Sequence, residues 1–157
     1  MAEERRRDDG YVVSDDPARL DIDTIHGFLA ACYWSPGVPW ETVERAIRHS
    51  LPFGVYQTPR PDGIEKQVGF ARVITDRTTF AYVADVFVLE AYRGRGLASW
   101  LMEVILAHPE LQGLRRWMLA TRDAHGLYEK VGFSVTDRPE QIMILRPNAP
   151  EKTTEQP

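Results

Sequence analysis

The residues best suited to chemistry form one segment, Val86 to Met102, in which an apolar run leads into arginines alternating with glycines and then into a helical pattern. The run predicts a strand, and the residues after Gly96 are spaced as a helix. Glycines let the backbone approach a ligand closely, and unpaired N–H groups at a helix start bind phosphate oxygens. Arg93 and Arg95 add permanently charged donors. The segment therefore predicts a phosphate-binding turn.

Two common phosphate-binding patterns do not match this turn. A P-loop requires Lys followed by Ser or Thr after its last glycine, and neither pair follows Gly96. A dinucleotide fingerprint requires a third glycine where Ser99 stands, and an acid at the end of the next strand, which is absent from Arg116 to Thr121. Nucleotide triphosphate and dinucleotide chemistry are therefore disfavoured.

Asp85 is the main candidate for a general base, because it interrupts the apolar run from Ala81 to Leu89. A carboxylate in such a strand is costly unless it is paired, and an unpaired one is a candidate proton acceptor. A turn near residues 76–79 would bring Arg72 close to a position opposite Asp85 on the neighbouring strand. The sequence leaves two roles open for Asp85, a catalytic base or a partner in a structural ion pair.

Composition limits the classes of protein to which such a site can belong. The chain has 157 residues, of which 43% are apolar, and this suits one domain, which we place at residues 11–147. The polar stretches 1–10 and 148–157 are predicted to be disordered tails. A net charge of −4 argues against general nucleic-acid binding, and no apolar run is long enough to span a membrane. We expect a cytoplasmic protein that does not bind nucleic acid or membranes.

Metal and disulfide chemistry are also disfavoured. Cys32 is the single cysteine, which excludes an internal disulfide and a cysteine-rich metal site. None of the four histidines has the spacing of a metal-ligand pair, so we predict no metal.

The changes of periodicity along the chain predict an α/β domain with the order β-α-α-β-β-β-α-β-α-β-β. Most strands are joined by short polar turns and should be antiparallel, whereas the strand from Arg116 follows a helical crossover and should be parallel to its predecessor. The last two strands, Phe133 to Val135 and Gln141 to Leu145, are predicted to close the sheet as a hairpin. The result is a mixed, mostly antiparallel central sheet flanked by helices.

The turn resembles the acyl-CoA-binding turn of the GNAT family, the GCN5-related N-acetyltransferases, whose pattern Arg/Gln-x-x-Gly-x-Gly/Ala corresponds to Arg93-Gly-Arg-Gly96-Leu-Ala98. The segment Tyr128-Glu-Lys-Val-Gly132-Phe133 is similar to the family's Tyr-x-x-x-Gly-Phe ending. The predicted element order is also that of the family, and the resemblance covers about Tyr11 to Leu145.

The resemblance implies an acyl-CoA site with acetyl-CoA as the donor. The backbone of Val86, Phe87 and Val88 would contact the pantetheine arm, on a strand with a bulge or break near Val86 that splays from the strand at Trp117 to Thr121. The pyrophosphate would lie on the turn, at Arg93, Gly94, Arg95, Gly96, Leu97, Ala98 and Ser99. Members of the family often carry Asn where this chain has Thr121, so that Thr121 would have to replace it as a CoA contact.

The resemblance further implies direct attack of an amine on the acetyl thioester. The N–H of Val88 would stabilise the oxyanion, and Tyr128 would give a proton to the leaving thiolate. The other interpretation of Tyr128 is a ring packed on the sheet beside Phe133. An acceptor pocket is expected near the first two helices, with Tyr33, Trp34 and Trp40 either lining it or anchoring their loop.

The resemblance thus implies an N-acetyltransferase, and we take the primary amine of a small molecule as the default acceptor. A domain that binds or senses acyl-CoA without turnover is the alternative. A homodimer is compatible with the sequence, and the acceptor is not specified by it.

Overall fold

The computed structural model of the chain describes residues 1–58 and 62–148. The strands are β1 (Glu4–Arg6), β2 (Tyr11–Ser14), β3 (Leu51–Gln57), β4 (Lys66–Thr75), β5 (Phe80–Val88) and β6 (Arg116–Met118). The α-helices are α1 (Ile22–Ala31), α2 (Trp40–Arg48), α3 (Leu97–Leu106) and α4 (His125–Glu129). Short 3₁₀ turns lie at Pro17–Arg19, Glu90–Tyr92, Pro109–Leu111 and Pro139–Gln141.

The six strands form one sheet whose spatial order is the order of the chain. The pairs from β1 to β5 are antiparallel, and only β5 and β6 are parallel. The parallel pair follows from α3, which carries the chain back across the sheet between β5 and β6. The predicted mixed, mostly antiparallel α/β sheet is confirmed.

Helices cover both faces of the sheet. On one face, Leu101, Met102 and Ile105 of α3 are completely buried against apolar residues of β2 to β5. On the other face, α1 and α2 pack against Phe70 and Phe87 through a cluster completed by Ile25, Leu29, Val43 and Ile47. Asp21 caps the N-terminus of α1 by accepting a hydrogen bond from the Thr24 N–H (3.0 Å).

The bulge expected near Val86 is present in β5. The pairing of β4 with β5 shifts register between Phe70 and Arg72, and Asp85 adopts a left-handed backbone conformation with φ of 57°. A non-glycine residue rarely takes this conformation inside a strand, and it redirects the strand where it occurs. The backbone from Val86 to Val88 therefore runs in a different direction from the first half of β5.

The N-terminal segment differs from its prediction as a disordered tail. Residues Glu4 to Arg6 form β1 and pair with Val12 to Ser14 of β2. Gly10, with φ of 91°, allows the tight turn between them, and the Arg7 N–H donates to the Tyr11 carbonyl (2.9 Å). The charged composition was misleading because these side chains project from an edge strand, where charge is tolerated.

The predicted closing hairpin is also wrong. In the described part of the chain no strand follows β6, and the segments Phe133–Val135 and Gln141–Leu145 have no ladder partner. Val135, Met143, Ile144 and Leu145 are mostly exposed. Strand propensity was evident in the sequence, whereas the presence of a partner strand is not a local property. The predicted C-terminal tail lies, from residue 149 onward, outside the described residues.

Candidate active site

A cavity of about 510 Å³ opens where β5 and β6 separate. Pairing of the two strands ends at Tyr82 and Met118, and beyond this point the chains diverge. The residues from Tyr82 to Val86 line one side and those from Ala120 to Ala124 line the other, with Tyr128 between them. The predicted splaying of these two parallel strands is thus present, and it exposes main-chain groups of β5.

The turn after β5 leads directly into α3. Gly94 and Gly96 have φ of 76° and 71°, and a Cβ atom on Gly94 would meet no atom within 4 Å, so the outer surface of the turn is open. The Arg93 guanidinium donates from Nε to the Val88 carbonyl (3.1 Å), which ties the turn to the end of β5. Such a turn suits a phosphate because glycine permits these φ values without strain and leaves space above the backbone.

The N–H groups of this turn are available to a ligand. Among the described residues, nothing accepts from the N–H groups of Gly94, Arg95 and Gly96, and the first paired N–H of α3 is that of Trp100, which donates to the Gly96 carbonyl (3.1 Å). The N–H groups of Leu97, Ala98 and Ser99 belong to the first helical turn, where no intrahelical acceptor exists. The turn therefore presents a group of donors at the positive end of a helix dipole.

The N–H of Val88 points to the side of β5 from which β6 diverges. The Leu89 N–H donates to the Val68 carbonyl on β4 (2.8 Å), and successive N–H groups of a strand point to alternate sides. The Val88 N–H consequently points away from β4. The side chain of Phe87 stacks on Phe28 (4.0 Å between ring centroids) in the α1 core, so at Phe87 too only the backbone is free to contact a ligand.

Arg7 is a basic residue of the site that sequence analysis missed. Its guanidinium donates to the Arg95 carbonyl (2.9 Å), is paired with Asp9 (2.6 Å), and lies over the rings of Tyr11 (5.5 Å) and Trp100 (5.3 Å). The β1–β2 hairpin thus contacts the phosphate-binding turn. The sequence places Arg7 four residues before the first buried strand, which could have identified it as ordered. The charged residues around it instead indicated a solvated tail.

Tyr128 lies on α4 with its ring edge-to-face with Phe133 (6.0 Å) and is 9% exposed. Burial raises the pKa of Tyr128 to about 12, and the nearby Tyr33 adds to the rise. No hydrogen bond from a described residue contributes to this pKa, and the side chain lines the cavity between β5 and residues 120–124. The ring packs beside Phe133, as one interpretation expected, and the residue also borders the cavity. The role of Tyr128 as proton donor stays a prediction.

Asp85 forms the ion pair with Arg72 that the sequence allowed. Arg72 Nε donates to one carboxylate oxygen of Asp85 (2.5 Å), and Trp34 Nε1 donates to the other (3.1 Å). Arg72 also donates to the Ser50 hydroxyl (3.2 Å), and the paired side chains of Arg72 and Asp85 are 17% and 15% exposed. These contacts hold the bulged residue in place. A role of Asp85 as catalytic base stays a prediction.

Two of the three predicted acceptor residues lie at the cavity. Tyr33 and Trp34 line it, with the Arg122 guanidinium 3.7 Å from the centre of the Tyr33 ring. Trp40 is not among the lining residues and instead donates from Nε1 to Asp23 (2.9 Å), joining α2 to α1. Of the two alternatives left open for Trp40, this contact favours an anchoring role over a place in the pocket wall. Arg122 was not anticipated.

Thr121 lies at the cavity but already has one hydrogen bond, since its hydroxyl accepts from the Ala124 N–H (3.0 Å). The hydroxyl proton remains available for donation. Across residues 1–58 and 62–148, no three His, Cys, Asp or Glu side chains are close enough together to hold a metal ion. In the same ranges, no helix combines the length and apolar character needed to cross a bilayer.

Comparison with known proteins assigns the family. The family model for the GNAT acetyltransferase domain matches residues 55–135. A protein of Gibberella zeae that is provisionally named an acetyltransferase is 35% identical, and the match covers 76% of each chain. The chain belongs to the GNAT family.

Solved structures of GNAT proteins agree with this assignment. A GNAT-family protein of Xanthomonas campestris, provisionally named an acetyltransferase, is 49% identical with a TM-score of 0.79, covering 87% of this chain and 92% of that one. A protein of Deinococcus radiodurans at 24% identity has a TM-score of 0.68, covering 91% and 92%, and supports the fold alone.

Proposed function

We propose that this GNAT protein transfers the acetyl group of acetyl-CoA to the primary amine of a small molecule. The observation that carries the proposal is the cavity between β5 and residues 120–124, with Tyr128 in its wall, together with the open turn that follows β5. A thioester lying along the backbone of Val86 to Val88, with its phosphates on the turn, would place its carbonyl in this cavity. The family assignment supports acetyl-CoA as the donor.

The reaction forms a C–N bond between the amine and the acetyl carbonyl and breaks the C–S bond of the thioester. The carbonyl oxygen carries negative charge in the intermediate, and the Val88 N–H is the positioned donor that would stabilise it. The nitrogen loses one proton to solvent or a base, and the sulfur of CoA finally gains one. Atoms and charge therefore balance without an oxidant or a metal.

Tyr128 would act on the leaving sulfur mainly as a hydrogen-bond donor. Its pKa of about 12 keeps the phenol protonated throughout the neutral range. A thiol has a pKa of about 8.5, so complete proton transfer from Tyr128 to the thiolate is uphill by roughly 3 to 4 pKa units. A donated hydrogen bond still stabilises the developing thiolate, and the proton that finally neutralises the sulfur then comes from solvent.

A domain that binds acyl-CoA without turnover is the second candidate, and the environment of Asp85 favours it. Both carboxylate oxygens of Asp85 already accept hydrogen bonds, from Arg72 and Trp34, so this candidate base is occupied. The alternative retains the turn and the N–H donors of α3 but requires no acceptor amine.

Release of free CoA thiol from acetyl-CoA in the presence of a panel of small amines distinguishes the two functions. If the protein is an acetyltransferase, thiol release rises with the concentration of one or more of the amines, and mass spectrometry detects the corresponding amide. Tight binding of CoA by calorimetry, with no release above the rate of hydrolysis for any amine, would favour the binding module. Lack of CoA binding would exclude both functions.

A further inference from the structure

Positively charged side chains gather on the side of the phosphate-binding turn that faces the β1–β2 hairpin. Lys66 at the start of β4 and Arg95 in the turn both lie over the Tyr92 ring, with the Lys66 Nζ at 5.3 Å and the Arg95 guanidinium at 5.8 Å from its centre. The Tyr92 hydroxyl donates to the side chain of Gln57 on β3 (3.3 Å), which anchors the ring. Arg7 joins the group through its contact with the Arg95 carbonyl. The three cations form what we call the basic surface.

The pairing of three strands brings these side chains together. Tyr11 of β2 is paired with Gln57 of β3, and Gln57 is paired with Lys66 of β4. Neighbouring strands lie about 4.8 Å apart, so this row of paired residues is about 10 Å wide. Arg7 lies over the Tyr11 ring at one end of the row, and Lys66 forms the other end. The basic surface is therefore built on the sheet, and its width is fixed by strand pairing.

The positive charge of the basic surface is only partly neutralised. Asp9 pairs with Arg7 (2.6 Å) and is itself exposed. Within residues 1–58 and 62–148, no carboxylate forms an ion pair with Lys66 or Arg95. Two like charges that share one ring repel each other, and an anion bound between them would offset this repulsion. The basic surface therefore suits a ligand group with more than one negative charge.

We propose that the basic surface binds the 3′-phosphate of CoA, so that the protein selects CoA over 3′-dephospho-CoA. The proposal rests on the proposed function, in which the pyrophosphate of CoA lies on the turn. One ribose carries the pyrophosphate on its 5′ oxygen and the 3′-phosphate on its 3′ oxygen, so the 3′-phosphate has to lie beside the turn. A phosphate monoester carries a charge of about −1.5 to −2 at pH 7, which Lys66 and Arg95 together would balance.

Arg7 would support this contact by holding Arg95 in place. Two of the three nitrogens of its guanidinium already donate, to the Asp9 carboxylate and to the Arg95 carbonyl. Lys66 and Arg95 consequently make the direct contacts with the phosphate. The hairpin that carries Arg7 precedes residues 55–135, the part of the chain that the family model matches, so the family assignment does not imply this support.

The far wall of the cavity between β5 and residues 120–124 is a poorer site for a doubly charged anion. Residues 122–130 on that side place Asp123 and Glu129 among their cations, and the Arg122 guanidinium is 3.7 Å from the Asp123 carboxylate. A phosphate there would meet two carboxylates. The basic surface contains one, that of Asp9, which Arg7 already pairs. Charge therefore favours the hairpin side of the turn for the 3′-phosphate.

Calorimetric titration with CoA and with 3′-dephospho-CoA tests the proposal. Wild-type protein should bind CoA about ten-fold more tightly, the effect of about one hydrogen bond to a charged group. Lys66→Ala should reduce this ratio to about two-fold or less by weakening the binding of CoA alone, and Lys66→Arg should keep it, because the charge is retained. Lys130→Ala removes a lysine across the cavity and should keep the wild-type ratio. Lys66 is exposed, so circular dichroism should show each Lys66 variant folded as the wild type is.

The outcomes separate this inference from the proposed function. Equal binding of CoA and 3′-dephospho-CoA by the wild type would overturn the inference and leave the proposed function intact. A ratio that Lys66→Ala leaves unchanged would overturn it as well, and a fall in Lys130→Ala instead would assign the 3′-phosphate to the far wall of the cavity. If neither compound binds to the wild type, the proposed function itself fails.

Discussion

The candidate active site has a donor end, formed by the turn after β5, and an acceptor end, formed by the cavity between β5 and residues 120–124, and the two are built in different ways. At the donor end, the N–H groups of Gly94 to Ser99 and of Val88 are held by the backbone of β5, the turn and α3. At the acceptor end, the walls are the side chains of Tyr33, Trp34 and Arg122, which come from two loops. Tyr33 and Trp34 are 46% and 41% exposed, whereas Leu97 at the start of α3 is 2% exposed.

The difference indicates which part of the reaction each end controls. Backbone donors recognise a group common to all substrates of one kind, which in the proposed function is the phosphates of CoA, and the position of these donors is fixed by the fold. Exposed side chains on loops change without disturbing the sheet, and specificity is usually located on such loops. We therefore expect variants at the donor end to abolish function and those at the acceptor end to alter the choice of substrate.

The largest effect is expected for Gly96→Val. A β-branched residue at φ of 71° is strained by roughly 1–2 kcal/mol, and its side chain would lie over the donors of the turn. Losing one or two charge-assisted hydrogen bonds of about 1.5–3 kcal/mol each should weaken CoA binding by about 10-fold to 100-fold or more. Calorimetric titration with CoA measures this change. Gly113→Val, at φ of 77° and with open space around it, carries similar strain but should bind CoA normally.

Asp85→Asn should lower the free energy of unfolding more than it lowers the rate of the reaction. Removing the carboxylate leaves Arg72 without its ionic partner in a site that is mostly buried, which should cost about 2 kcal/mol in the free energy of unfolding. Urea denaturation measures the loss, and Glu110→Gln, which removes the exposed pair with Arg77, should cost under about 0.5 kcal/mol. A stable variant whose rate profile loses its acidic limb would instead identify Asp85 as the base.

Tyr128→Phe should lower kcat by about ten-fold and leave the Kd for CoA unchanged, because only the hydrogen bond to the leaving sulfur is lost. Tyr82→Phe, in the same cavity wall, is the matched control and should have normal kcat.

The pH dependence gives a second test of Tyr128. Burial raises its pKa above that of a free phenol to about 12, so the donor form persists through the neutral range and is lost only as the pH approaches 12. The wild-type rate should therefore show no decline due to Tyr128 below pH 10. A decline with a midpoint near pH 8 or 9 that disappears in Tyr128→Phe would rule out this account.

Features built from the backbone could be predicted from the sequence better than features built from side chains of distant loops. The turn after β5 follows from contiguous residues, since glycine spacing is a local property, whereas the bulge near Val86 was expected only from the family resemblance. The contact of Trp40 with Asp23 and the position of Arg122 over Tyr33 depend on how distant loops meet. Sequence pattern does not contain that information.

The two chain ends show a further limit of prediction from sequence. Residues 1–10 have the composition of a solvated tail, yet β1 forms because β2 offers a free edge beside it. Gln141–Leu145 has the composition of a strand, yet no neighbour of its own chain pairs with it in the described residues. In both cases the outcome depends on how the segment meets the rest of the sheet, which the local sequence does not contain.

Arg7→Ala tests whether the N-terminal hairpin belongs to the donor end. Arg7 donates to the Arg95 carbonyl and stacks on Trp100, so its loss should loosen the turn and remove one positive charge near the phosphates. One hydrogen bond of about 0.5–1.5 kcal/mol corresponds to a rise in the Kd for CoA of about two-fold to ten-fold. Arg6→Ala removes an exposed arginine of the same hairpin and should leave the Kd unchanged. If both variants raised the Kd for CoA equally, Arg7 would act only through its charge and not through its contact with the turn.

Arg122→Ala should have the smallest effect and the one confined to the acceptor end. The Arg122 guanidinium covers one face of the Tyr33 ring at 3.7 Å, where a cationic amine would otherwise be attracted. An exposed cation–π contact is worth about 0.5–1 kcal/mol, so freeing the ring should lower the KM for the amine by about two-fold to five-fold. The Kd for CoA should not change, and Arg115→Ala, on the exposed loop before β6, should alter neither constant. If Arg122→Ala weakened CoA binding instead, residues 119–124 would belong to the donor end, and the division between a fixed donor site and an adjustable acceptor wall would fail.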